Sequence, residues 1–486
     1  MKKYLILILA CMLSLSTFLT PANNVKAKEE NTLVIYSWED YLDLGYEEED
    51  LEDLSDSLLD RFSKDELLMG LTDIFEEENP GVKVEYRTFA TNEEMYNELI
   101  NNPSGPDLIC PSEYMIMRMK SEGLIKPYKT PTSWKEYGSP YIKSEFERLG
   151  LVEGDDKVYA TGYMWGTMGY IFNFANTDPS ELINWDSVLN KKFNKKVTIK
   201  DSIRDTYILA VGAVYEEELK ALDKNASDYS SKIAEIFNRT DDETINKVEE
   251  FLKNLKQKLY GFEVDSGKND MLTGKIEVNF AWSGDAVYTI DEAESAGLEF
   301  GYIVPEEGSN VWFDGWVMPK SANEELATKF IDFVSQEENA IRNMEYIGYT
   351  SCMAQDEIFS YVLENAEEGE ETINLGYFFK GKDYTGDEYK VSVSSIYGRL
   401  ATQYPDYNIV KRCTVMDNFN EADLEKINDM WNRVKFITFP IWLIWAIVGI
   451  VLLGLIGFLL VKFKDRIFIN VKNVKKYRVV KKEKIR

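Results

Sequence analysis

Six short segments gather aromatic rings, carboxylates and hydroxyls: Tyr36-Ser-Trp-Glu-Asp-Tyr41, Pro111-Ser-Glu-Tyr114, Asp201-Ser-Ile-Arg-Asp205, Ala281-Trp-Ser-Gly-Asp285, Asn310-Val-Trp-Phe-Asp-Gly315 and Ile347-Gly-Tyr349. Ring faces attract ammonium groups and cover the methylenes between them, at about 0.5 to 2 kcal/mol per cation-π contact. Ionised acids pair with protonated amines through charge-assisted bonds that offset the cost of drying the ligand. Such a set suits capture of an alkyl polyamine, the spacing of the acids measuring the distance between nitrogens. Each residue also has a plainer reading. Trp38, Tyr114, Trp282 and Trp312 serve equally as core rings, Asp205 and Asp314 as cap or turn residues, and Arg204 as half of an ion pair.

The elements that must position these residues follow from the apolar pattern. Residues 33–36, 82–86, 107–110, 196–200 and 277–281 read as buried strands. Helical patterns cover 93–100, 114–122, a stretch from Thr206, 242–259 and 323–335. Strands alternating with helices predict a mostly parallel sheet covered on both faces, and the chain is too long for one such sheet, so two α/β lobes are expected. Ligands in that architecture sit at the carboxyl ends of strands, in the crevice. Trp38, Tyr41, Tyr114, Trp282, Trp312 and Tyr349 would then line one cleft with Asp205 and Asp314. Residues 43–66 hold eleven acids, and Leu51, Leu54, Leu58 and Phe62 among them fall at helical spacing. This predicts a solvated amphipathic helix docked on the first lobe, or, on a sharper reading, a partner surface or cation-attracting rim.

Composition narrows the classes. The 486 residues carry 84 Asp and Glu against 55 Lys and Arg, a formal charge of −29, and no histidine. Ser-His-Asp chemistry and His-ligated zinc or haem are thereby excluded, and the charge opposes nucleic-acid binding. Eleven of the bases lie at or beyond Lys462 and three before Lys28, so the acid belongs to residues 28–435. Lys2 and Lys3 precede an apolar run and Val25-Lys26-Ala27, the pattern of a secretory signal peptide over 1–27. Residues 436–461 are uncharged and long enough to predict a transmembrane helix, with the basic tail 462–486 held in the cytoplasm. The expectation is a single-pass protein of the cell membrane with residues 28–435 outside. Beyond the signal, Cys110, Cys352 and Cys413 remain, and no disulfide is expected among them.

Taken in order, the six motifs resemble those of the bacterial spermidine/putrescine-binding proteins, extracellular receptors of polyamine ABC transporters. The resemblance runs from about Asn31 to Lys435, with Arg412-Cys-Thr-Val-Met416 and Asn428-Asp-Met-Trp431 similar to the family's last helices. It implies a two-lobed α/β periplasmic-binding-protein-like fold of type II, the first lobe over about 31–161 and 313–355 and the second over about 165–305 and 356–435. It implies Trp38, Tyr41, Ser112 and Tyr114 as ligand contacts from the first lobe, completed by Asp205, Trp282, Trp312, Asp314 and Tyr349, with Ser266 or Asp265 joining them. It also implies no catalytic residue, cofactor or metal, and as partners spermidine or putrescine and ABC permease subunits with their ATPase. The chain departs from the family in its acidic insertion at 43–66, its expected membrane anchor, Met416 where some spermidine binders place a glutamine, and Glu39 where a smaller polar residue is common. Two alternatives stay open: an extracellular carboxylate-pair glycoside hydrolase, and the same fold binding ferric ion through tyrosines or another organic cation such as a betaine.

Overall fold

The computed structural model describes residues 31–49, 51, 54, 56–366, 369–436, 449–450, 452–455 and 458. The chain divides into two compact units, Met1–Leu424 and Glu425–Arg486. The two sheets that frame the site and every candidate site residue belong to the first.

Strand β1 (Thr32–Trp38) is rich in β-branched and aromatic residues, buried from Leu33 to Ser37, and so takes the centre of a sheet. It pairs in parallel with β2 (Lys83–Phe89) and β3 (Leu108–Ile109), in the order β2-β1-β3. β1 and β2 run two to three residues past the apolar runs that predict them, because Ser37 and Trp38 keep Thr88 and Phe89 as partners. This extension carries Trp38 to the carboxyl edge of the sheet.

The second sheet is built on a long strand, β4 (Thr161–Asn173), whose burial is nearly continuous. Its last half pairs antiparallel with β7 (Val278–Trp282) and β8 (Phe300–Ile303), and beyond β7 lie β5 (Val197–Lys200) and β6 (Gly261–Glu263), all parallel to one another. Its first half pairs instead with β9 (Val311–Trp316) and β10 (Thr350–Ser351). β9 is also tied to the first sheet by bridges Ile109–Val317 and Ser112–Asp314. β4 therefore changes partners near Thr167 and passes from the neighbourhood of one sheet to that of the other. Alternation of strands and helices does not reveal this strand, since it has no crossover helix of its own.

The predicted helices form with small shifts at their ends: Asn92–Asn101, Glu113–Ser121, Ile203–Val214, Asp242–Lys258 and Glu324–Val334. Several begin at side-chain caps, among them Ser202 and Asn323. The acidic stretch is not one helix. Ser63 caps a new turn, its hydroxyl accepting from the Glu66 N–H while Glu66 reaches back to the Ser63 N–H, so the chain forms Asp56–Arg61 and then Lys64–Leu67. Leu51, Leu58 and Leu67 close a small core of their own. The stretch is fastened by Arg342, buried to 1 % exposure, which pairs with Asp43 and donates to the Glu66, Leu67 and Met69 carbonyls. Cys110, Cys352 and Cys413 are free and buried.

One expectation needs correction. A membrane span takes about 20 apolar residues in a helix, and among the described residues no helix is long and apolar enough to cross a membrane. Most of 436–461, the signal segment 1–27 and the tail 462–486 lie outside the described residues.

Removing one member of a buried ion pair leaves the other uncompensated at a cost of about 3 to 5 kcal/mol. Arg342→Met should destabilise the folded chain by that amount in urea denaturation, and a loss below about 1 kcal/mol would show that Arg342 does not hold the acidic stretch.

Candidate ligand-binding site

The site forms at the ends of β1 and β7 and along β9, which carries Trp312 and Asp314. Asp314 sits at a β-bulge: it pairs with Met164 while Gly315 pairs with Gly162, which leaves Tyr163 as the extra residue of β4. Bulges re-aim side chains, and here the extra residue becomes a brace. The Tyr163 hydroxyl donates to the Tyr41 carbonyl at 2.7 Å and accepts from Asn343 at 2.8 Å. Tyr41, thus held in the turn after β1, donates its own hydroxyl to Asp314 Oδ2 at 2.6 Å.

Rings close around this carboxylate. Tyr349 lies edge-on to Tyr41 with centroids 5.1 Å apart and 5.7 Å from the Trp312 ring. Gly348 delivers Tyr349 there: its φ of +74° ends the helix Glu337–Ile347 in the left-handed region that favours glycine. The Tyr349 ring also lies flat on Gly284, where a Cβ would fall 2.4 Å from it. Trp312 donates its indole N–H to the Thr167 carbonyl at 3.3 Å. Ser112, before the helix Glu113–Ser121, bridges to Asp314 and accepts from Asn92, which donates to the Tyr114 hydroxyl as well.

Asp205 enters from the first turn of Ile203–Val214, three residues after the Ser202 cap, so it is not itself the cap. Burial raises its pKa, and hydrogen bonds from Ser202 and Trp282 with the Lys200 charge oppose the rise. Asp314 is 6 % exposed; burial pushes its pKa up to about 6, Tyr41 and Ser112 oppose that, and the Asp205 charge adds to it. Glu113 is fully buried beside it and pushed up to about 8, again mainly by burial. Asp314 Oδ1 and Glu113 Oε1 have no hydrogen-bond partner. Neither acid has an ion-pair partner within 4 Å among the described residues, although the Arg204 charge pulls the Glu113 pKa down against the effect of burial.

Eight of the nine expected contact residues are thus linked: Tyr41, Ser112, Tyr114, Asp205, Trp282, Trp312, Asp314 and Tyr349. Trp38 stands apart, its ring on Phe89 at 4.9 Å and its indole N–H buried without a partner. Asp265 pairs with Lys268 at 2.8 Å. Arg204 is not the ion pair expected of it: its guanidinium stacks over Tyr114 at 4.4 Å and Phe419 at 4.1 Å and donates to the Asp417 carbonyl. The motifs do not point to Asn92, Tyr163, Lys200 or Glu263, and Glu113, inside the motif Pro111-Ser-Glu-Tyr114, is given no role there. Asp285, which accepts from the Tyr349 hydroxyl at 2.9 Å, lay inside a quoted motif but was given no role.

The box is shut. Tyr41 and Trp312 are each 5 % exposed. A cavity of about 250 Å³ is lined by Tyr41 together with Glu39, Asp40, Tyr86 and Tyr346. A larger one, about 390 Å³, lies far from these acids beside Val214 and Phe251 and has none of the site chemistry. Among the described residues no group of three or more acids or cysteines is placed to hold a metal ion.

Comparison with known proteins bears on this geometry. Residues 70–355 match the model of the bacterial extracellular solute-binding protein family. The chain belongs to this family. It is similar to the spermidine/putrescine-binding periplasmic protein of Salmonella typhimurium, 25 % identical over 325 residues that cover 66 % of this chain and 78 % of that one. It is equally similar, 25 % over 337 residues covering 67 % and 79 %, to the putrescine-binding periplasmic protein PotF of Escherichia coli. Among solved structures, the Tp0655 (TpPotD) lipoprotein of Treponema pallidum superposes with a TM-score of 0.57 at 18 % identity, covering 84 % of this chain and all of that one. The spermidine/putrescine substrate-binding protein PotD of Streptococcus pneumoniae gives 0.52 at 23 % identity, covering 83 % and 98 %. The solute-binding protein therefore has the two-lobed α/β fold of these structures, and the resemblance seen in its motifs holds over most of its length. The single-pass placement in the cell membrane does not stand: the relatives are named as periplasmic proteins, and the described residues include no spanning helix.

A carboxyl whose folded pKa exceeds its unfolded one favours the folded state when protonated; that contribution is present below about pH 4 and lost as pH rises through about 6. Asp314→Asn should therefore stabilise the unliganded solute-binding protein by about 2 to 3 kcal/mol at pH 7.5 and by little at pH 4. Denaturation curves at the two pH values check this; an equal effect at both would remove the ionisation penalty from Asp314.

Proposed function

We propose that this chain is a receptor that captures spermidine or putrescine outside the cell and delivers it to an ABC permease driven by its ATPase. Asp314 carries the reading. It is a buried carboxyl with one oxygen unpaired, enclosed by the Tyr41, Trp312 and Tyr349 rings, and a protonated amine supplies both the missing donor and the missing charge. Relatives named for spermidine and putrescine support the choice of ligand.

The nine residues Trp38, Tyr41, Ser112, Tyr114, Asp205, Trp282, Trp312, Asp314 and Tyr349 form the binding set of this proposal. Capture runs through opening of the closed box, entry of the diamine or triamine, and closure by hinge motion at the shared strand β4. The order β2-β1-β3, extended through the Ile109–Val317 bridge, supports a first lobe of the type II kind. The receptor binds and releases without chemistry, which favours it over the hydrolase alternative.

Calorimetry on the full chain tests the proposal. Spermidine or putrescine should bind, glycine betaine should not, and Asp314→Ala should weaken polyamine binding by about 2 to 5 kcal/mol. Unchanged affinity in that variant would defeat the assignment.

A further inference from the structure

The inner end of the box already contains an ammonium. Lys200, the last residue of β5, is 1 % exposed. Its Nζ lies 2.7 Å from Asp285 Oδ2, 3.3 Å from Glu263 Oε1 and 2.8 Å from the Val264 carbonyl. It also lies 4.3 Å from the centre of the Trp282 ring. Two carboxylates, a carbonyl and an indole face are what an alkylammonium requires. Burial alone would lower the Lys200 pKa, but the Asp285 and Glu263 charges outweigh it and hold it above its ordinary value.

This seat is continuous with the proposed binding set. Trp282 helps hold down the pKa of Asp205, and Asp285 accepts from Tyr349, whose ring abuts Tyr41 and Trp312. Asp285 and Glu263 both face Lys200, and Lys268, 3.8 Å from Asp285, is shared with Asp265 at 2.8 Å. Asp205 and Asp314 have no ion-pair partner within 4 Å among the described residues, and Glu113, with a pKa near 8, is held as the neutral acid at neutral pH. Two acids are left for the ligand.

We propose that Lys200 is a built-in ammonium occupying an amine seat of the site, so that the receptor selects a diamine over a triamine. The inference rests on the polyamine reading above. A chain with two terminal nitrogens satisfies Asp205 and Asp314; a further protonated nitrogen meets Lys200 instead of a free carboxylate and is repelled. Lys200 is thus a specificity-determining residue, acting by charge and by occupancy.

The test is calorimetry on the full chain with putrescine and spermidine, comparing the wild type with Lys200→Met, which keeps the unbranched stem, ends one atom short of the Nζ position and removes the charge. The wild type should bind putrescine more tightly. In Lys200→Met the spermidine-to-putrescine affinity ratio should rise by at least about tenfold, as the triamine's extra nitrogen takes the vacated seat. Should the bare acids prevent folding, Lys200→Met with Glu263→Gln removes the surplus charge, and the same ratio is read. Spermidine binding more tightly than putrescine to the wild type, or a ratio unmoved by the substitution, overturns the role of Lys200 while leaving a polyamine receptor intact. Failure of both polyamines to bind the wild type overturns the polyamine reading and this inference together.

Discussion

Everything at this site turns on the drying of carboxyl groups. A carboxylate moved out of water without a partner is costly enough that it takes up a proton instead, and the fold places Asp205, Asp314 and Glu113 in that position, all three with raised pKa values. The surrounding architecture enforces the situation. The Asp314 bulge, the Tyr163 brace and the Tyr41 hydroxyl hold the acid in place, while Tyr349 and Trp312 keep water away. A cation with an apolar stem relieves the strain on both counts, by returning charge to the acids and by laying hydrocarbon against the rings.

Not every buried charge is left waiting. Arg342 with Asp43 secures the acidic stretch, and Lys200 with Asp285 and Glu263 closes the inner end of the box. The same physics gives opposite results according to whether the chain provides its own countercharge. Arg204 is an intermediate case, a guanidinium held by two ring faces and a carbonyl rather than by an acid, with its Nε left without a partner.

Much of this was legible in the residues and some was not. Apolar runs ending in aromatic and acidic residues marked β1, β5 and β7 and the contact residues at their ends, because a buried parallel strand must be apolar and its exit is where polar groups begin. β4 left no such signature: it serves two sheets in antiparallel pairing, so no alternation of strand and helix announces it. In the acidic stretch, helical spacing of leucines suggested one continuous helix, but the Ser63 and Glu66 cap restarts the turn, a local preference that outweighs the periodicity. Lys200 read as the polar end of a strand, since only the fold brings Asp285 and Glu263 to it from positions far along the chain. Trp38 carried the family's pattern and still faces Phe89 rather than the other rings.

The exchange of partners along β4 has a mechanical meaning. Up to Thr167 its ladder is made with β9 and β10, and from Met168 with β7 and β8. A torsion concentrated at that junction leaves both ladders intact, so the two halves can swing like pages on a common spine.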